Sequence, residues 1–429
     1  MLSTDMLLQF NMWWKTHSVE HELAPDLKRD MFSKIEKYLK LRQIVAVVGL
    51  RRTGKTTIMF QVIDNLIKGG VDPKKILYFS FDESVDDIRS LVNLYSEKIL
   101  KKDIRSEKIY MFLDEIQKLD DWQNKIKIYY DMYPNIKFFV TGSASVNILH
   151  DAKETLAGRI FYFELDVLSF EEFLRFKGKD VVLLKNDADI WKHEIKVELE
   201  NYFLRPFPEM IDFDDDVAKV YIKENIVEKA IFRDLRVLFG VKDIELIEKL
   251  ILIVASDPGL ILNIDEISKE VGKSRQTVSN YMRYLNDCFI LKDIRNYRGS
   301  FKASSRKLKK YYPIHPCIAL ALADASTGKV AENLVQFASK ARLFWREANK
   351  EVDFVLPDGS KVLPIESKYS SKIRMRDLKG LLRFMDKFGV DTGFVITEDY
   401  EASEVYKGFN IQFVPLWKYL LGVTSQKTT

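Results

Sequence analysis

Apolar residues along this chain fall into short unbroken runs separated by longer stretches in which they recur every three or four positions. The runs at 44–48, 76–81, 109–113, 136–140 and 160–163 have the length and the β-branched or aromatic content of strands buried on both faces. Helical periodicity fills the segments between them. Such alternation predicts a parallel sheet with crossover helices. Residues 1–42 read as helical, with Leu27, Met31, Ile35 and Leu39 on one face, leading into the first strand.

Downstream the pattern changes. Residues 165–240 are mainly helical, broken at Leu204-Arg205-Pro206-Phe207-Pro208, and read as a lid over the sheet domain plus a linker. After Gly240 come a helix at 245–256, a shorter one at 264–271, and a third at 274–287 that starts on a Ser274 cap. Short helix, turn and longer helix is a helix-turn-helix pattern, and the segment 292–310, with Tyr297 and Phe301 interleaved, reads as the hairpin that follows it. The last hundred residues predict a helix at 330–341, two runs joined by the turn Pro357-Asp358-Gly359-Ser360, a helix at 372–388 and a strand at 393–397. The expected divisions are 1–164, 165–240, 241–315 and 316–429, which agrees with a length of 429 residues, too long for one core.

Composition narrows the class. A hydrophobic share of 47% with mixed charge is that of a globular protein, and no run approaches the roughly 18 apolar residues of a membrane span. Cys288 and Cys317 are too far apart for a C-x-x-C pair, and five scattered histidines form no ligand cluster. The start of the chain lacks a basic segment ahead of its apolar residues, so a cytoplasmic location is expected. Net charge is only +4, yet residues 269–310 hold 12 Lys or Arg against 3 acids, a net of +9. A field of that size predicts a polyanion partner, DNA, along this stretch. In Ser274-Arg275-Gln276-Thr277-Val278-Ser279-Asn280 the side chains near the helix start are of the types that reach base edges or phosphates, although a solvated basic hairpin or a protein-docking module fits the pattern too.

Candidate chemistry sits at two places. Gly49-Leu50-Arg51-Arg52-Thr53-Gly54-Lys55-Thr56 is a complete GxxxxGK[ST] loop between a strand and a helix. Its glycines let the backbone N–H groups face phosphates, Lys55 reaches the terminal phosphate oxygens, and Thr56 can ligate Mg²⁺. Gly49, Arg52, Thr53, Gly54, Lys55, Thr56 and Thr57 are the expected nucleotide contacts. About sixty residues on, the strand at 109–113 ends in Asp114-Glu115, where Asp114 would hold Mg²⁺ through water and Glu115 would polarise an attacking water. Thr141 and Ser143, at the end of the next strand, either contact that water or the γ-phosphate, or cap a helix. Arg159 has three readings: a γ-phosphate sensor in its own subunit, a finger for a neighbouring copy in a homo-oligomer, or an ordinary salt bridge.

The second place is quieter. Strand period two puts Glu366 and Lys368 on one face, and the hairpin brings Asp353 beside them. Asp353 and Glu366 could hold Mg²⁺ there, with Lys368 stabilising a hydroxide or phosphate charge and Glu332 contributing from the preceding helix.

Taken together, the motifs at 49–56, 113–117, 141–143, 156–159, 168–173, 351–353 and 365–368 resemble those of archaeal and bacterial AAA+-like P-loop ATPases that carry a winged helix and a C-terminal restriction-endonuclease-like domain. The resemblance implies an α/β chain: a P-loop NTPase sheet with a helical lid, then a winged-helix domain, then an α/β nuclease-like domain. It implies ATP binding by Lys55 and Thr56, Mg²⁺-dependent hydrolysis with Asp114 and Glu115, and a nuclease-like pocket at Glu332, Asp353, Glu366 and Lys368. Two functional readings follow. One is an ATP-driven DNA-acting protein; the other is a regulatory NTPase whose downstream domains are scaffolds for a protein partner.

Overall fold

A computed structural model describes residues 2–83, 87–143, 155–300, 305–359, 361–370 and 372–423; Phe301, Lys302 and Ser360 lie outside it. The chain divides into two compact units, 1–167 and 168–429.

In the first unit, helix α1 (Thr4–Phe10) and helix α2 (Asp30–Leu39) precede strand β1 (Ile44–Val48). Helix α3 (Lys55–Lys68), β2 (Ile76–Ser80), helix α4 (Ile88–Tyr95), β3 (Ile109–Asp114), helix α5 (Trp122–Met132), β4 (Ile136–Gly142) and β5 (Ile160–Glu164) follow. All five strands are parallel, in the order β2-β3-β4-β1-β5. Strands β1 to β4 are buried at every position, as their unbroken apolar runs require. Strand β4 inserts between β1 and β3, so the loop after β1 and the acidic end of β3 open on the same edge of the sheet with one strand between them. The exposed edge of β2 is covered by the start of the chain. Asn11 accepts from the Tyr78 N–H at 2.7 Å and donates to its carbonyl at 3.0 Å, while Trp14 donates to the Ile76 carbonyl at 2.8 Å.

The expectation for residues 17–29 needs correction. They form no helix among the described residues, and Leu27 is exposed, because Gln61 holds the Pro25 and Leu27 carbonyls and Arg29 adopts extended backbone immediately ahead of α2.

The second unit begins with helices α6 (Phe170–Phe176) and α7 (Lys192–Leu204), so residues 168–240, read from sequence as a lid and linker, lie inside it. Next come α8 (Ile244–Ser256), β6 (Leu260–Ile261), α9 (Ile264–Glu270) and α10 (Arg275–Asp287), the last capped by Ser274 accepting from Thr277 N–H at 3.0 Å. Strands β7 (Leu291–Asn296) and β8 (Ser305–Pro313) form an antiparallel hairpin, and β6 pairs with β8. Beyond them lie α11 (Pro316–Leu322), α12 (Thr327–Ser339), β9 (Leu343–Glu347), β10 (Lys350–Val352), β11 (Phe354–Asp358), β12 (Lys361–Lys368), α13 (Lys379–Phe388), β13 (Thr392–Thr397), β14 (Ala402–Tyr406) and β15 (Phe409–Pro415).

The pattern of the sequence does not reveal how these pieces join. Strand β7 pairs in parallel with β9, Arg295 opposite Leu343 and Asn296 opposite Phe344, so the hairpin and the C-terminal segment share one sheet of order β10-β9-β7-β8-β6. The chain then passes from that sheet to a second, β11-β12-β13-β15-β14, with Asp353 as the single residue between β10 and β11. Gly380 permits the close packing behind this crossing: a Cβ there would lie 1.9 Å from the Glu351 carbonyl oxygen.

Candidate functional site

The loop after β1 is shaped by two left-handed residues, Gly54 (φ 93°) and Arg52 (φ 65°), and by the absence of a Cβ at Gly49, which would sit 2.2 Å from the Leu165 carbonyl oxygen. Thr53 closes the turn by donating to the Leu50 carbonyl at 2.9 Å. Lys55, 6% exposed, donates to the carbonyls of Gly49 and Leu50 at 3.0 and 2.8 Å, so its ammonium lies over the loop. Thr56 and Thr57 open α3. Arg29 had no role in the sequence reading. Its buried guanidinium donates to the carbonyls of Thr53 (2.6 Å), Asp166 (2.9 Å) and Val167 (3.1 Å), tying the loop to the segment after β5.

Asp114 is a hydrogen-bonding hub. Its carboxylate accepts from Thr56 at 2.8 Å, from Tyr78 at 3.2 Å, from Thr141, and from the Glu115 N–H at 3.0 Å. Burial, and then the charge of Asp114, push the Tyr78 phenol far above its usual range, so it stays a donor. Thr141 therefore orients the acid, and the helix-capping alternative for Thr141 and Ser143 falls on residues 144–154, outside the described residues. Ser143 accepts from Gln117 at 3.1 Å, and the same amide also donates to Glu115. Burial raises the Glu115 carboxyl, with Lys55 opposing. That direction suits a group asked to accept a proton near neutral pH.

Arg159 is elsewhere. Its guanidinium pairs with Asp131 at 2.9 Å, and its backbone carbonyl accepts from Ile44 N–H, at the start of β1. The phosphate loop leaves the other end of that five-residue strand, roughly 15 Å away at about 3.3 Å per residue. Of the three readings, the side chain in this structure makes the ion pair, with Asp131.

In the second unit the crossing of the chain at Asp353 gathers buried charges. Asp353 Oδ2 accepts from Ser367 N–H at 3.0 Å and Oδ1 faces Lys310 at 3.1 Å. Lys310, on β8, also lies 2.5 Å from Glu351 and 3.2 Å from Glu332, and Tyr312 donates to Glu332 at 2.7 Å. Lys329 pairs with Glu332 at 3.5 Å, Arg346 with Glu351 at 3.5 Å, and Lys368 with Glu366 at 2.7 Å. Glu366 Oε2 is buried without a hydrogen-bond partner among the described residues. Burial, with the neighbouring Asp353, raises its carboxyl to about 8, against the pull of Lys368. Burial opposes the Lys310 charge, but Tyr312, Glu332, Asp353 and Glu351 outweigh it and hold the ammonium well above its usual range. A cleft of about 640 Å³ beside the cluster is lined by Lys329, Glu332, Ser367, Lys368 and Lys372 among others.

Sequence reasoning brought Glu332, Asp353, Glu366 and Lys368 to one place. It also expected Mg²⁺ between Asp353 and Glu366, and one oxygen of each instead faces an ammonium group, Lys310 for Asp353 and Lys368 for Glu366. The inward oxygens of Asp353, Glu332 and Glu351 converge on an ammonium group, and that of Glu366 on another.

Residues 41–174 match a family model described as an AAA domain. The match supports a P-loop ATPase family. Residues 198–329 and 328–419 of the same chain match two domains of unknown function, DUF8612 and DUF4143. An uncharacterized protein of Methanocaldococcus jannaschii is 26% identical over 415 residues, covering 90% of each chain. One of Haemophilus influenzae is 25% identical over 393 residues, covering 87% of this chain and 94% of its own. Among solved structures, C. elegans PCH-2 aligns over 44% of this chain and 49% of its own at 14% identity and a TM-score of 0.24, too slight a likeness to build on.

Outside the first unit, the basic stretch is less free than its composition promised. Lys273 pairs with Asp243 at 2.5 Å, Arg275 with Asp265 at 2.8 Å and Lys309 with Asp293 at 2.7 Å, while Lys310 is interior. Two of those acids precede the 269–310 window and three of the Lys310 partners follow it, so counting within the window missed them. Lys269, Gln276, Ser279, Arg283, Arg295 and Arg298 are exposed. No helix among the described residues is long and apolar enough to cross a membrane.

Proposed function

We propose that this chain hydrolyses ATP in its first unit with Mg²⁺ and uses the nucleotide state to control a grip on DNA by its second unit. The observation that carries the ATPase half is the set of donors converging on Asp114 from Thr56, Tyr78 and Thr141, with Glu115 next to it on the strand end. The Thr56 hydroxyl and the Asp114 carboxylate, 2.8 Å apart, are hard oxygen donors of the kind Mg²⁺ takes, so these residues fit the ion. Bound there, Mg²⁺ would neutralise charge on the β- and γ-phosphates. The chain's own residues supply the rest. Lys55 exchanges the Gly49 and Leu50 carbonyls for phosphate oxygens, and the loop N–H groups with the α3 N-terminus orient the phosphates. Glu115, aimed by Gln117, takes the proton of the attacking water. Glu115→Gln should abolish turnover while ATP binding persists; undiminished hydrolysis would put the base elsewhere.

Support for the DNA half comes from the exposed Gln276, Ser279 and Arg283 along α10 and from Arg295 and Arg298 on the hairpin. In this reading residues 241–315 are a winged helix and residues 316–429 are restriction-endonuclease-like, having that fold's order of helix, hairpin, helix and strand. Its acids favour holding over metal-dependent cutting. A second reading, favoured by the ion pairs at Lys273, Arg275 and Lys309, makes the second unit a scaffold for a partner protein. A finger role for Arg159 belongs to either reading only in a homo-oligomer. Salt decides between the two: a DNA complex must weaken steeply as ionic strength rises, and no binding at low salt leaves the scaffold.

A further inference from the structure

We infer that Lys310 is the resident cation of the C-terminal carboxylate cluster and excludes a divalent metal from it. The inference rests on second-unit side chains alone and is independent of whether the first unit hydrolyses ATP.

Three features of the cluster lead to it. The first is position. Lys310 is 2% exposed, comes from β8 of the hairpin, and places one ammonium within 3.2 Å of carboxylates from α12 (Glu332), β10 (Glu351) and the β10–β11 crossing (Asp353). An ammonium with three donors facing three carboxylates leaves none of its capacity unused. The second is charge. Lys310, Lys329, Arg346 and Lys368 each lie within 3.5 Å of an acid of the cluster, and Lys329 is shared with Asp257 at 3.4 Å. A divalent ion placed among them would have to compete with cations already in contact with the carboxylate oxygens. The third is the Asp353 carboxylate. One oxygen is committed to the Ser367 N–H and the other to Lys310, so an ion could recruit it only by displacing the lysine. Mg²⁺ demands oxygen ligands at about 2.0–2.1 Å in an octahedron, a geometry that an ammonium in the middle of the set forbids.

The lysine belongs to the hairpin, and the carboxylates belong to the segment that follows it. Because β7 and β9 share a sheet, the ammonium is held in place by the backbone of both parts. Methionine at position 310 keeps an unbranched side chain but removes the ammonium, leaving Glu332, Glu351 and Asp353 facing one another with the oxygen ligands that a divalent ion requires.

The test is Mn²⁺ binding to the full chain, read from loss of the free-ion EPR signal without nucleotide. Asp114→Asn in every protein silences the first unit. The parent should show no Mn²⁺ binding that depends on Asp353. Lys310→Met should gain one site at least about tenfold tighter, removed again by adding Asp353→Asn. Lys310→Arg should exclude the ion as the parent does. Binding in the parent that disappears with Asp353→Asn would overturn the inference, as would a folded Lys310→Met that gains no site. If Lys310→Met does not fold, the parent and its Asp353→Asn partner still decide: Asp353-dependent Mn²⁺ overturns the inference, and its absence upholds it.

Discussion

Replacing Arg29 by alanine should loosen the phosphate loop more than any exposed change in the first unit. The guanidinium is 7% exposed and donates to three backbone carbonyls, those of Thr53, Asp166 and Val167, at 2.6 to 3.1 Å. A hydrogen bond from a charged donor is worth about 1.5–3 kcal/mol net, so three bound the effect at roughly 4–9 kcal/mol. Water re-entering the emptied site will satisfy part of the freed carbonyls, which brings the expected loss to about 3–5 kcal/mol. For a unit of this size about 1 kcal/mol moves the midpoint by roughly 2–4 °C, so the first-unit transition should fall by about 6–20 °C. Differential scanning calorimetry, with and without ATP, reads this directly. Saturating ATP should restore part of the loss, since ligand binds the ordered loop and not the disordered one. Arg29→Lys should fall between, because one ammonium cannot span carbonyls on both sides of the loop. A midpoint within about 1 °C of wild type and an unchanged ATP affinity would refute the argument, for they would mean that the loop holds its shape without the clamp.

Two further outcomes follow from the same geometry. Arg159→Ala should leave ATP affinity unchanged in dilute, monomeric protein, since the side chain pairs with Asp131 away from the loop; a tenfold weaker affinity by fluorescent-nucleotide titration would return it to the phosphates. Glu366→Gln should stabilise the second unit, and more at pH 9 than at pH 5. The folded carboxyl titrates at about 8 against an ordinary 4.5, so ionising it costs the fold stability progressively from about pH 4.5 upward and fully above about 8. At about 1.4 kcal/mol per pH unit the gain is capped at roughly 5 kcal/mol, and equal midpoint shifts at both pH values would contradict the burial argument.

Several parts of this protein were legible as local pattern. Apolar runs at 44–48, 76–81, 109–113 and 136–140 announce strands because a strand buried on both faces tolerates little else. The glycine–lysine loop announces itself because Gly49 has no room for a Cβ and Gly54 needs a positive φ. Even the faint Asp353, Glu366 and Lys368 spacing marked residues that do meet, since strand alternation is a short-range rule.

Local pattern along the chain thus sets the order of elements and the kinds of side chain that each presents at its end. Which distant residue completes each site follows only from packing. Arg29 reaches a loop 24 residues away, Tyr78 joins Asp114 from the neighbouring strand, and Lys310 joins acids that follow it by 22 to 43 residues. No local period encodes such pairings, because they depend on sheet order and on the parallel joining of β7 to β9. The same lysine that composition assigned to a polyanion-binding surface is, in the fold, an interior counter-ion. Charge counted along a chain says how many cations there are, and only packing says which acids they face.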